Sequence, residues 1–464
     1  MSTIEKIKID NNRVSILLAL EENHFNDLKS KDIQPAKLTK TISSFANSSG
    51  GELFIGIDEN DVDGNKMRSW NGFNDIEQAN GHLQAIEEMS PLGNHYEAVF
   101  LENDDQTGLV LQINVLKTNE IIYDSKRVPY IRRGAQSLPV KSDEAIQRLR
   151  LDKGLVSFED EKINDAEIED IANSTTIIKF LLNIIPDTEP ETWLRKQRLI
   201  KDGTPTVAGV LLFSEEPQAL LPKRSAIKIY RYKSSDEEGE RDTLVFDPIT
   251  IEGDLYSLIY ATVAKTKELI QDIKKLEVSG LVNIEYPEEA LMEIITNAVL
   301  HRDYSLPIDV HIRIFDNRIE IENPGKLPGH ITLNNILNEQ FARNPKLVRL
   351  INKFPDAPNK DVGEGLNTAY EAMTKLRLKP PVIEEKENSV QVILRHEPLA
   401  SPEQAVMGYL ENHAEITNSI ARELTGVKSE NSMKDIFYRL RDRGMIEQVP
   451  EKKGRASAWR KVIS

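Results

Sequence analysis

The apolar and polar positions near the N terminus alternate with the periods of a helix and of a strand. In the stretch "PAKLTKTISSFANSSGG" the apolar residues Leu38, Ile42 and Phe45 recur at spacings of four and three, which predicts a helix with one buried face. The glycine pair Gly50–Gly51 ends that helix, and the apolar run from Leu53 to Ile57 predicts a strand. A helix, a tight turn and a strand are therefore expected in direct succession.

A second strand is predicted before this helix, over Phe25 to Leu28. In extended backbone, Asp27 and Lys29 project from the same face. Because the glycine pair permits a tight reversal, the later strand can return beside the earlier one. Asp58 follows the later strand, so carboxylates from two strands could converge at one place.

The stretch "YPEEALMEIITNAVLHRDYS" predicts a helix that carries polar residues where a core stripe usually has apolar ones. Glu293, Asn297 and His301 recur at every fourth position, so they share one face of this helix. A hairpin-like run of alternating apolar residues follows in "DVHIRIFDNRIEIENPGKLP". A carboxylate, an amide and an imidazole in register indicate a functional face.

The last part of the chain predicts three helices followed by two strands. The first helix, in "SPEQAVMGYLENH", has Ser401 as its N-cap and Pro402 at its first position. The two strands flank a basic turn from Pro450 to Arg455. We therefore expect residues 402–464 to form a separate compact unit.

A chain of 464 residues exceeds what one ordinary core supports, so several domains are expected. Shifts in composition divide the chain into residues 1–152, an acidic helical connector at 153–190, residues 191–398 and residues 402–464. The mixture of helix and strand patterns predicts an α/β and α+β multidomain protein.

The net charge of −16 argues against indiscriminate binding to nucleic acid, because neutralisation of phosphates supplies that affinity. Residues 402–464 differ from the rest, with eleven Lys and Arg against nine Asp and Glu. A local basic face in this part therefore remains compatible with the acidic total.

The absence of cysteine excludes disulfides, thiolate catalysis and cysteine-ligated metal sites. The composition still allows a site that holds Mg²⁺ or Mn²⁺ by oxygen ligands. No apolar run is long enough to span a bilayer, and the stretch "MSTIEKIKID" lacks the apolar segment of a signal peptide. We therefore expect a cytoplasmic protein with no membrane partner.

The motifs "DLKS", "SSFANSSGGELFIGIDEN" and "YIRRGAQS" resemble the AlbA-type domain of Schlafen proteins and of bacterial Schlafen-like regulators. The resemblance implies a nucleic-acid-binding platform, in which Lys29, Arg132 and Arg133 would contact phosphates. Ordinary solvated charge is the alternative for these three side chains.

In Schlafen nucleases three carboxylates hold a metal ion at an RNA-cleaving site, and by motif position these are Glu22, Asp27 and Asp58. The ion would be Mg²⁺ or Mn²⁺. This chain departs from the family pattern at Asp27, where glutamate is usual, and at Leu28, where phenylalanine is usual. The alternative is an ion pair between Asp27 and Lys29, with Asp58 capping a turn.

The ordered set of a helical asparagine, "NPG", "RNP" and "GEGL" resembles the GHKL ATPase fold of gyrase, heat-shock chaperones, histidine kinases and mismatch-repair proteins. This set of motifs is more similar to the divergent branch of the GHKL fold that is joined to Schlafen-like AlbA domains. The resemblance implies an α/β sandwich that binds ATP or a related nucleotide with Mg²⁺. Asn297 would bind this ion, and Glu293 would be catalytic if the protein is an ATPase.

The same resemblance implies further nucleotide-binding positions: Asn323, Gly325, Arg343, Gly363, Gly365 and Leu366. Arg343 would reach a phosphate or would only tie the lid to the core. Asn323 stands where an adenine-reading aspartate is usual, so the base preference is open. The glycine-rich lid at Gly363 to Leu366 leads into a helix, whose first N–H groups can cradle phosphate.

The C-terminal unit resembles a winged helix-turn-helix in the stretch "ITNSIARELTGVKSENSMKDIFYRLRDRGMIE". Its third helix would then enter a DNA groove. The nucleic-acid-binding side chains implied by this resemblance are Lys428, Asn431 and Lys434 on that helix and Lys452, Lys453 and Arg455 on the wing. Dimerisation or protein docking is the alternative use of such a unit.

The three resemblances in this order predict a nucleotide-responsive nucleic-acid-binding regulator that forms a homo-oligomer. One alternative is a metal-dependent RNA or tRNA nuclease that acts in anti-phage defence. A second alternative is an interaction scaffold with a vestigial nucleotide pocket.

Overall fold

The computed structural model describes residues 5–62, 65–222, 224–271, 273–277, 280–358, 365–376, 378–395, 402–425, 427, 429–450, 452 and 457–462. The chain forms two compact units. One unit contains residues 1–372 with 381–394, and the other contains residues 373–380 with 395–464. No helix in the described ranges combines the length and the apolar character needed to span a bilayer.

The first part of the larger unit is an N-terminal domain of strands and short helices. Its elements are β1 (Glu5–Lys8), α1 (Asn11–Ala19), β2 (Asn26–Lys29), α2 (Pro35–Ala46), β3 (Gly51–Ile55), β4 (Ile57–Val62), β5 (Asn65–Trp70), α3 (Asn80–Glu87), β6 (Tyr96–Glu102), β7 (Val110–Val115), β8 (Tyr130–Arg133), β9 (Gln136–Pro139) and α4 (Asp143–Asp152).

The central sheet of this domain has the order β1-β6-β7-β3-β2. The predicted return of one strand beside the other is confirmed, because β2 and β3 are parallel with Asp27 opposite Leu53. The predicted helix is also confirmed as α2, whose apolar residues Leu38, Ile42 and Phe45 are fully buried. This helix and β3 supply much of the domain's core.

The strand predicted to run to Ile57 ends two residues earlier, at Ile55. Gly56 has φ of +112°, a conformation that favours glycine, and it redirects the chain. Asp58 consequently lies in a separate hairpin formed by β4 and β5, opposite Ser69. The prediction missed this break because an isolated glycine inside an apolar run also fits a continuous strand.

The remainder of the larger unit contains the elements α5 (Glu169–Ala172), α6 (Thr175–Ile184), α7 (Pro190–Lys196), β10 (Ile200–Lys201), β11 (Thr204–Pro205), α8 (Val207–Phe213), α9 (Pro217–Leu220), β12 (Ile227–Arg231), β13 (Ile249–Ile251), α10 (Leu255–Gln271), β14 (Lys274–Glu277), β15 (Gly280–Asn283), α11 (Glu288–Leu300), β16 (Val310–Ile314), β17 (Arg318–Pro324), α12 (Pro345–Ile351), α13 (Gly365–Lys375), β18 (Val382–Glu385) and β19 (Ser389–Arg395). The end of α13 and of β19 passes into the smaller unit.

A six-stranded sheet of order β13-β12-β16-β17-β19-β18 organises this part. Its strands β16 and β17 form the predicted hairpin, with Ile312 opposite Ile321. Helix α10 packs on β12, and α11 packs on both α10 and β17. The arrangement is a layer of helices on a mixed sheet, and it places the polar face of α11 near the strand ends.

The predicted connector contains α5 and α6 and joins the helical layer through an aromatic cluster. The Phe180 ring centroid lies 5.1 Å from that of Trp193, 5.2 Å from that of Phe213 and 4.6 Å from that of Phe354. These rings come from α6, α7, α8 and the segment after α12, so the second half of the connector is part of a folded core.

The smaller unit contains α14 (Pro402–Asn412), β20 (Ile416–Thr417), α15 (Asn418–Thr425), α16 (Glu430–Asp442), β21 (Ile446–Gln448) and β22 (Ala458–Lys461). The strands form a sheet of order β20-β22-β21. Its core is centred on the buried side chains Met433, Phe437 and Trp459. The predicted order of three helices and two final strands is thus present, with one further short strand between the first two helices.

Replacement of Gly56 by alanine is expected to lower the free energy of unfolding by about 1–3 kcal/mol, because a side chain is strained at this backbone conformation. An added Cβ would also lie 3.2 Å from Gly72 Cα and 3.3 Å from Val110 Cγ2. Gly81→Ala is the matched control, since Gly81 lies inside α3 with Pro35 Cγ 3.7 Å from the added Cβ.

Gly81→Ala should raise the free energy of unfolding by about 0.5–1 kcal/mol, because alanine is favoured over glycine in a helix. Urea denaturation followed by circular dichroism measures both variants. A loss of the same size in both variants would contradict the assigned role of Gly56.

Candidate functional site

A cavity of about 340 Å³ lies in the larger unit between α11 and the six-stranded sheet. Strands β17, β18 and β19 provide an apolar floor, formed by Ile321, Ile383, Val390 and Val392. One side is closed by residues 326–342, of which most line the cavity and which we call the pocket wall. The start of α13 closes the cavity at another side.

The polar face of α11 lines this cavity, as the spacing predicted. Glu293, Asn297 and His301 all contribute to the lining. Asn297 Nδ2 donates a hydrogen bond to Glu293 Oε1 at 2.8 Å. The apolar residues of α11, such as Leu291 and Ile295, are buried on its other faces, so packing holds the polar face toward the cavity.

Burial changes the protonation of two of these side chains. It raises the pKa of Glu293, and the hydrogen bond from Asn297 opposes that rise. Burial also lowers the pKa of His301 to about 4, with a smaller contribution from the positive charge of Arg343. His301 is therefore neutral near pH 7, and Glu293 retains a proton to higher pH than an exposed glutamate does.

Asn323 and Gly325 lie at the end of β17. Asn323 lines the cavity, and its Oδ1 is buried without a hydrogen-bond partner among the described residues. Gly325 is placed behind the lining, where an added Cβ would lie 2.7 Å from Asp303 Cβ. Gly325 therefore permits a close backbone turn, while Asn323 presents its amide to the cavity.

Arg343 was a candidate phosphate ligand, but its guanidinium is buried behind the pocket wall. Its Nη1 lies 3.3 Å from Asp303 Oδ2, and its Nη2 donates to the carbonyl of Lys326 at 2.5 Å. Asp303 also forms an ion pair with Arg148 of α4. Arg343 thus fixes the shape of the wall from outside.

The glycine-rich segment is described only from Gly365 onward, and Gly363 lies outside the described residues. Gly365 and Leu366 line the cavity at the start of α13. A Cβ on Gly365 would lie 3.6 Å from Glu293 Oε1, so the two motifs meet. Asn367 Nδ2 donates to the carbonyl of Leu337 at 3.0 Å, which joins α13 to the pocket wall.

Sequence reasoning missed the polar residues that the pocket wall contributes. Lys326, Asn338 and Gln340 line the cavity. Lys326 directly follows the "NPG" motif, and this position is the signal that could have identified it. The others lie in a segment without regular periodicity, and only the folded structure brings them to the cavity.

A second polar cluster surrounds Asp27 in the N-terminal domain. Lys29 Nζ lies 3.0 Å from Asp27 Oδ2 and 3.0 Å from Glu22 Oε1. Arg132 Nη2 lies 3.2 Å from Asp27 Oδ1, and Thr41 Oγ1 donates to Asp27 Oδ2 at 3.2 Å. Burial raises the pKa of Asp27, and the two cations oppose that rise.

The structure brings Glu22 and Asp27 together but directs Asp58 to another partner. Asp58 Oδ2 accepts a hydrogen bond from Asn71 Nδ2 at 2.6 Å, and its Oδ1 is buried without a partner among the described residues. Within the ranges that the structure describes, no three His, Asp or Glu side chains are grouped to hold a metal ion. Lys29 occupies the position between the first two carboxylates, and the metal site stays a prediction.

The two neighbouring arginines of β8 differ in their environment. Arg132 is 4% exposed and also donates to the carbonyls of Asn23 and Asn26. Arg133 has an exposed side chain, which lies 3.6 Å from Glu387. Arg132 therefore holds the domain together, whereas Lys29 and Arg133 are more accessible to a phosphate.

In the smaller unit the predicted nucleic-acid contacts are only partly described, since Lys428, Lys453 and Arg455 lie outside the described residues. Asn431 is exposed on α16. Lys434 lies 2.7 Å from Glu430, and Lys452 forms an ion pair with Glu415. The two described lysines are thus engaged within the unit.

Replacement of Arg132 by alanine is expected to lower the free energy of unfolding by about 3–5 kcal/mol, because it removes one partner of a buried ion pair. Arg133→Ala is the matched control on the same strand. It should change stability by at most about 0.5 kcal/mol, since its side chain is exposed. Urea denaturation measures both, and equal losses would contradict the structural role of Arg132.

Comparison with known proteins identifies two regions of the chain. Residues 22–141 match the family model described as "Schlafen, AlbA_2". Residues 308–394 match the HATPase_c_4 family model, described as "Putative ATP-dependent DNA helicase recG C-terminal". No curated protein matches the chain.

Two solved structures are similar at low identity. The DIP2311 protein from Corynebacterium diphtheriae is 18% identical, with 97% of this chain and 99% of that chain covered and a TM-score of 0.42. The N-terminal domain of a RecG-related protein from Nitrosomonas europaea, titled a putative ATP-dependent DNA helicase, is 20% identical. That match covers 28% of this chain and 89% of that chain, with a TM-score of 0.23.

These TM-scores are too low to support a common arrangement of the whole chain. The two family models, by contrast, cover most of the motifs that carried the resemblances, although Asn297 lies before the second model begins. The first covers the Asp27 cluster, and the second covers the strands that form the floor of the cavity. The chain thus combines a Schlafen-type AlbA domain with a divergent GHKL-type ATPase domain.

Proposed function

We propose that this protein is a nucleotide-responsive regulator that binds nucleic acid. The observation that carries the proposal is the cavity between α11 and the sheet, where polar side chains converge over an apolar floor. Such a combination is typical of a site for a small molecule with a flat apolar part and a polar part. A purine nucleotide has both parts.

The residues of α11 fit a nucleotide that is bound with Mg²⁺. Asn297 donates through Nδ2 to Glu293, so its Oδ1 can serve as an oxygen ligand. The phosphates would supply further oxygen ligands, and the ion would offset the negative charge that they bring near Glu293. Lys326 is the cationic side chain among the described lining residues.

Glu293 is also the residue that would support hydrolysis. Its raised pKa brings the carboxyl group closer to the range in which it can take a proton from water. A weak ATPase activity is therefore part of the proposal, with Glu293 as the residue that would support it.

Nucleic-acid binding is assigned to the AlbA domain and the smaller unit. Arg133 is the exposed candidate in the AlbA domain, whereas Lys29 is half-buried and would have to exchange its pairs with Glu22 and Asp27 for a phosphate. The order of elements in the smaller unit, with α15 and α16 followed by two strands, suits a winged helix-turn-helix. With a net charge of −16 these contacts must be local.

A response to nucleotide needs a physical link between the cavity and the AlbA domain, and the pocket wall supplies it. Lys117 lies just after β7 of the AlbA domain, and its Nζ donates to the carbonyl of Leu327 at 2.7 Å and to that of Ile331 at 2.9 Å. Both acceptors line the cavity. The inner side of the wall therefore faces the ligand site while its outer side is bonded to the AlbA domain.

Two further contacts strengthen this link. The backbone N–H of Gly329 donates to the carbonyl of Asp152 at 3.0 Å. The ring of Phe341 lies so close to Gly154 that a Cβ there would be 2.1 Å from it. A ligand that moves the wall must also move these contacts, which couples the free energy of ligand binding to the position of the AlbA domain.

A homo-oligomer remains part of the proposal, since symmetric pairing suits two-fold nucleic-acid sites.

Thermal unfolding with Mg²⁺ and ATP, ADP or GTP tests the cavity. Nucleotide at a hundred times its dissociation constant should stabilise the wild type by about 2.7 kcal/mol. Asn297→Ala should lose this stabilisation, because it removes both the oxygen ligand and the partner of Glu293.

Asn183→Ala, on the exposed side of α6, is the matched control and should respond as the wild type does. If no nucleotide stabilises the wild type, the protein is better described as a scaffold. Magnesium-dependent cutting of RNA that Asp58→Ala abolishes would favour a nuclease instead.

The link through Lys117 is tested by Lys117→Met, which keeps the length of the side chain and removes its hydrogen bonds. We expect nucleotide affinity to fall by about 5- to 150-fold, the usual range for coupling between two sites. Hydrogen exchange of residues 327–331 should become faster even without nucleotide, because two carbonyls lose their donor.

Lys126→Met is the control for this experiment, since Lys126 is an exposed lysine of the same domain. It should leave both the affinity and the exchange rates unchanged. Wild-type values for Lys117→Met in both measurements would contradict the link.

A further inference from the structure

The amide of Asn323 is the polar group at the end of the apolar floor. It follows Ile321 on β17 by two residues, and both side chains line the cavity. Its Oδ1 is buried and has no hydrogen-bond partner among the described residues. A buried acceptor without a partner is unfavourable, so this oxygen is best explained as a group that a ligand satisfies.

An amide and a carboxylate differ in what they can recognise. A carboxylate only accepts hydrogen bonds, whereas an asparagine accepts through Oδ1 and donates through Nδ2. Half a turn about the terminal torsion exchanges the two atoms with little change in shape. Asn323 can therefore present a donor and an acceptor in either order.

The Watson–Crick edges of the two purines present these groups in opposite order. Adenine has an amino donor at position 6 and an acceptor at N1, and guanine has an acceptor at O6 and a donor at N1. One orientation of the Asn323 amide complements adenine, and the other complements guanine. The apolar floor of Ile321, Val390 and Val392 makes no distinction between the ring faces of the two bases.

Two carboxylates line the cavity among the described residues, and each has a neighbouring polar side chain. Glu293 accepts from Asn297, and Glu339 Oε2 lies 3.5 Å from His330 Nε2. Within the described lining residues, these are the acidic side chains. Asn323, by contrast, is neutral and does not repel O6 of guanine, and its Oδ1 is buried at the end of the floor without a partner among the described residues.

We propose that the cavity binds guanine as well as adenine nucleotides and that Asn323 sets this dual specificity. The inference rests on the proposed nucleotide site and names the class of ligand that the site accepts. The selectivity between purines is low because one side chain satisfies both edges.

The wild-type protein provides the first test, by isothermal titration with ATP and with GTP in the presence of Mg²⁺. The two dissociation constants should agree within about tenfold, since each base makes the same number of hydrogen bonds to the amide. Inosine triphosphate, which has the O6 and N1–H of guanine, should bind as GTP does. Purine riboside triphosphate, which lacks a group at position 6, should bind more weakly than either.

Asn323→Asp provides the second test, because it converts the amide into an acceptor alone. GTP affinity should fall relative to ATP affinity by about 5- to 150-fold, the usual discrimination of a lost bidentate contact. Asn183→Asp adds the same charge on exposed α6 and should leave the ratio of the two affinities unchanged.

The outcomes separate this inference from the proposed function. If the wild type binds ATP but binds GTP more than about tenfold more weakly, the nucleotide site stands and the dual specificity is overturned. If neither nucleotide binds, both are overturned. The wild-type series decides the question even where Asn323→Asp fails to fold.

Discussion

Asp303 is a carboxylate buried between two guanidinium groups, and the joining of the AlbA domain to the cavity depends on it. Its side chain is 2% exposed and pairs with Arg148 of α4 and with Arg343 beyond the pocket wall. Burial would raise the pKa of Asp303, but the two arginines outweigh it and hold that pKa below its ordinary value. A buried ion is tolerated only when it is fully paired, so the three segments must meet.

Lys117 and Lys153 bond to backbone carbonyls where the N-terminal domain meets the rest of the larger unit. Lys153 Nζ donates to the carbonyls of Ala46 and Thr118 at 2.5 and 2.6 Å. Ala46 is the last residue of α2, where helix carbonyls lack partners within the helix. Burial lowers the pKa of Lys153 well below its usual value and that of Lys117 to about 8. The hydrogen bonds that these two side chains donate offset the cost of burial, and they close the end of α2 and hold the pocket wall.

The cavity depends on these contacts because its wall has little regular structure of its own. Residues 326–342 contain no helix or strand and are shaped by bonds from Lys117, Arg343 and the backbone of Asp152. The sheet and α11, by comparison, have regular backbone hydrogen bonding and many residues packed in the core. A ligand in the cavity and the AlbA domain would therefore both contact the pocket wall, which is the physical basis of the proposed response.

Much of the secondary structure and part of the site were predictable from local pattern. The period of Leu38, Ile42 and Phe45 indicated α2, and the four-residue spacing of Glu293 and Asn297 indicated a polar face that the structure places in the cavity. These predictions succeed because a helix brings residues of one stretch into register without help from the rest of the chain. The short motifs likewise indicated both family resemblances, since each motif is contiguous in sequence.

The partners of the buried charges were decided by the tertiary structure alone. The sequence left open whether Arg132 and Arg343 face ligands, and the structure buries both against aspartates. Arg148 and Asp303 are 155 residues apart in sequence, and no local signal pairs them. The sequence by itself therefore determined the helices, the strands and the polar face of α11. Which charges serve a ligand and which serve the fold was decided only by packing, because burial is a property of the assembled layers.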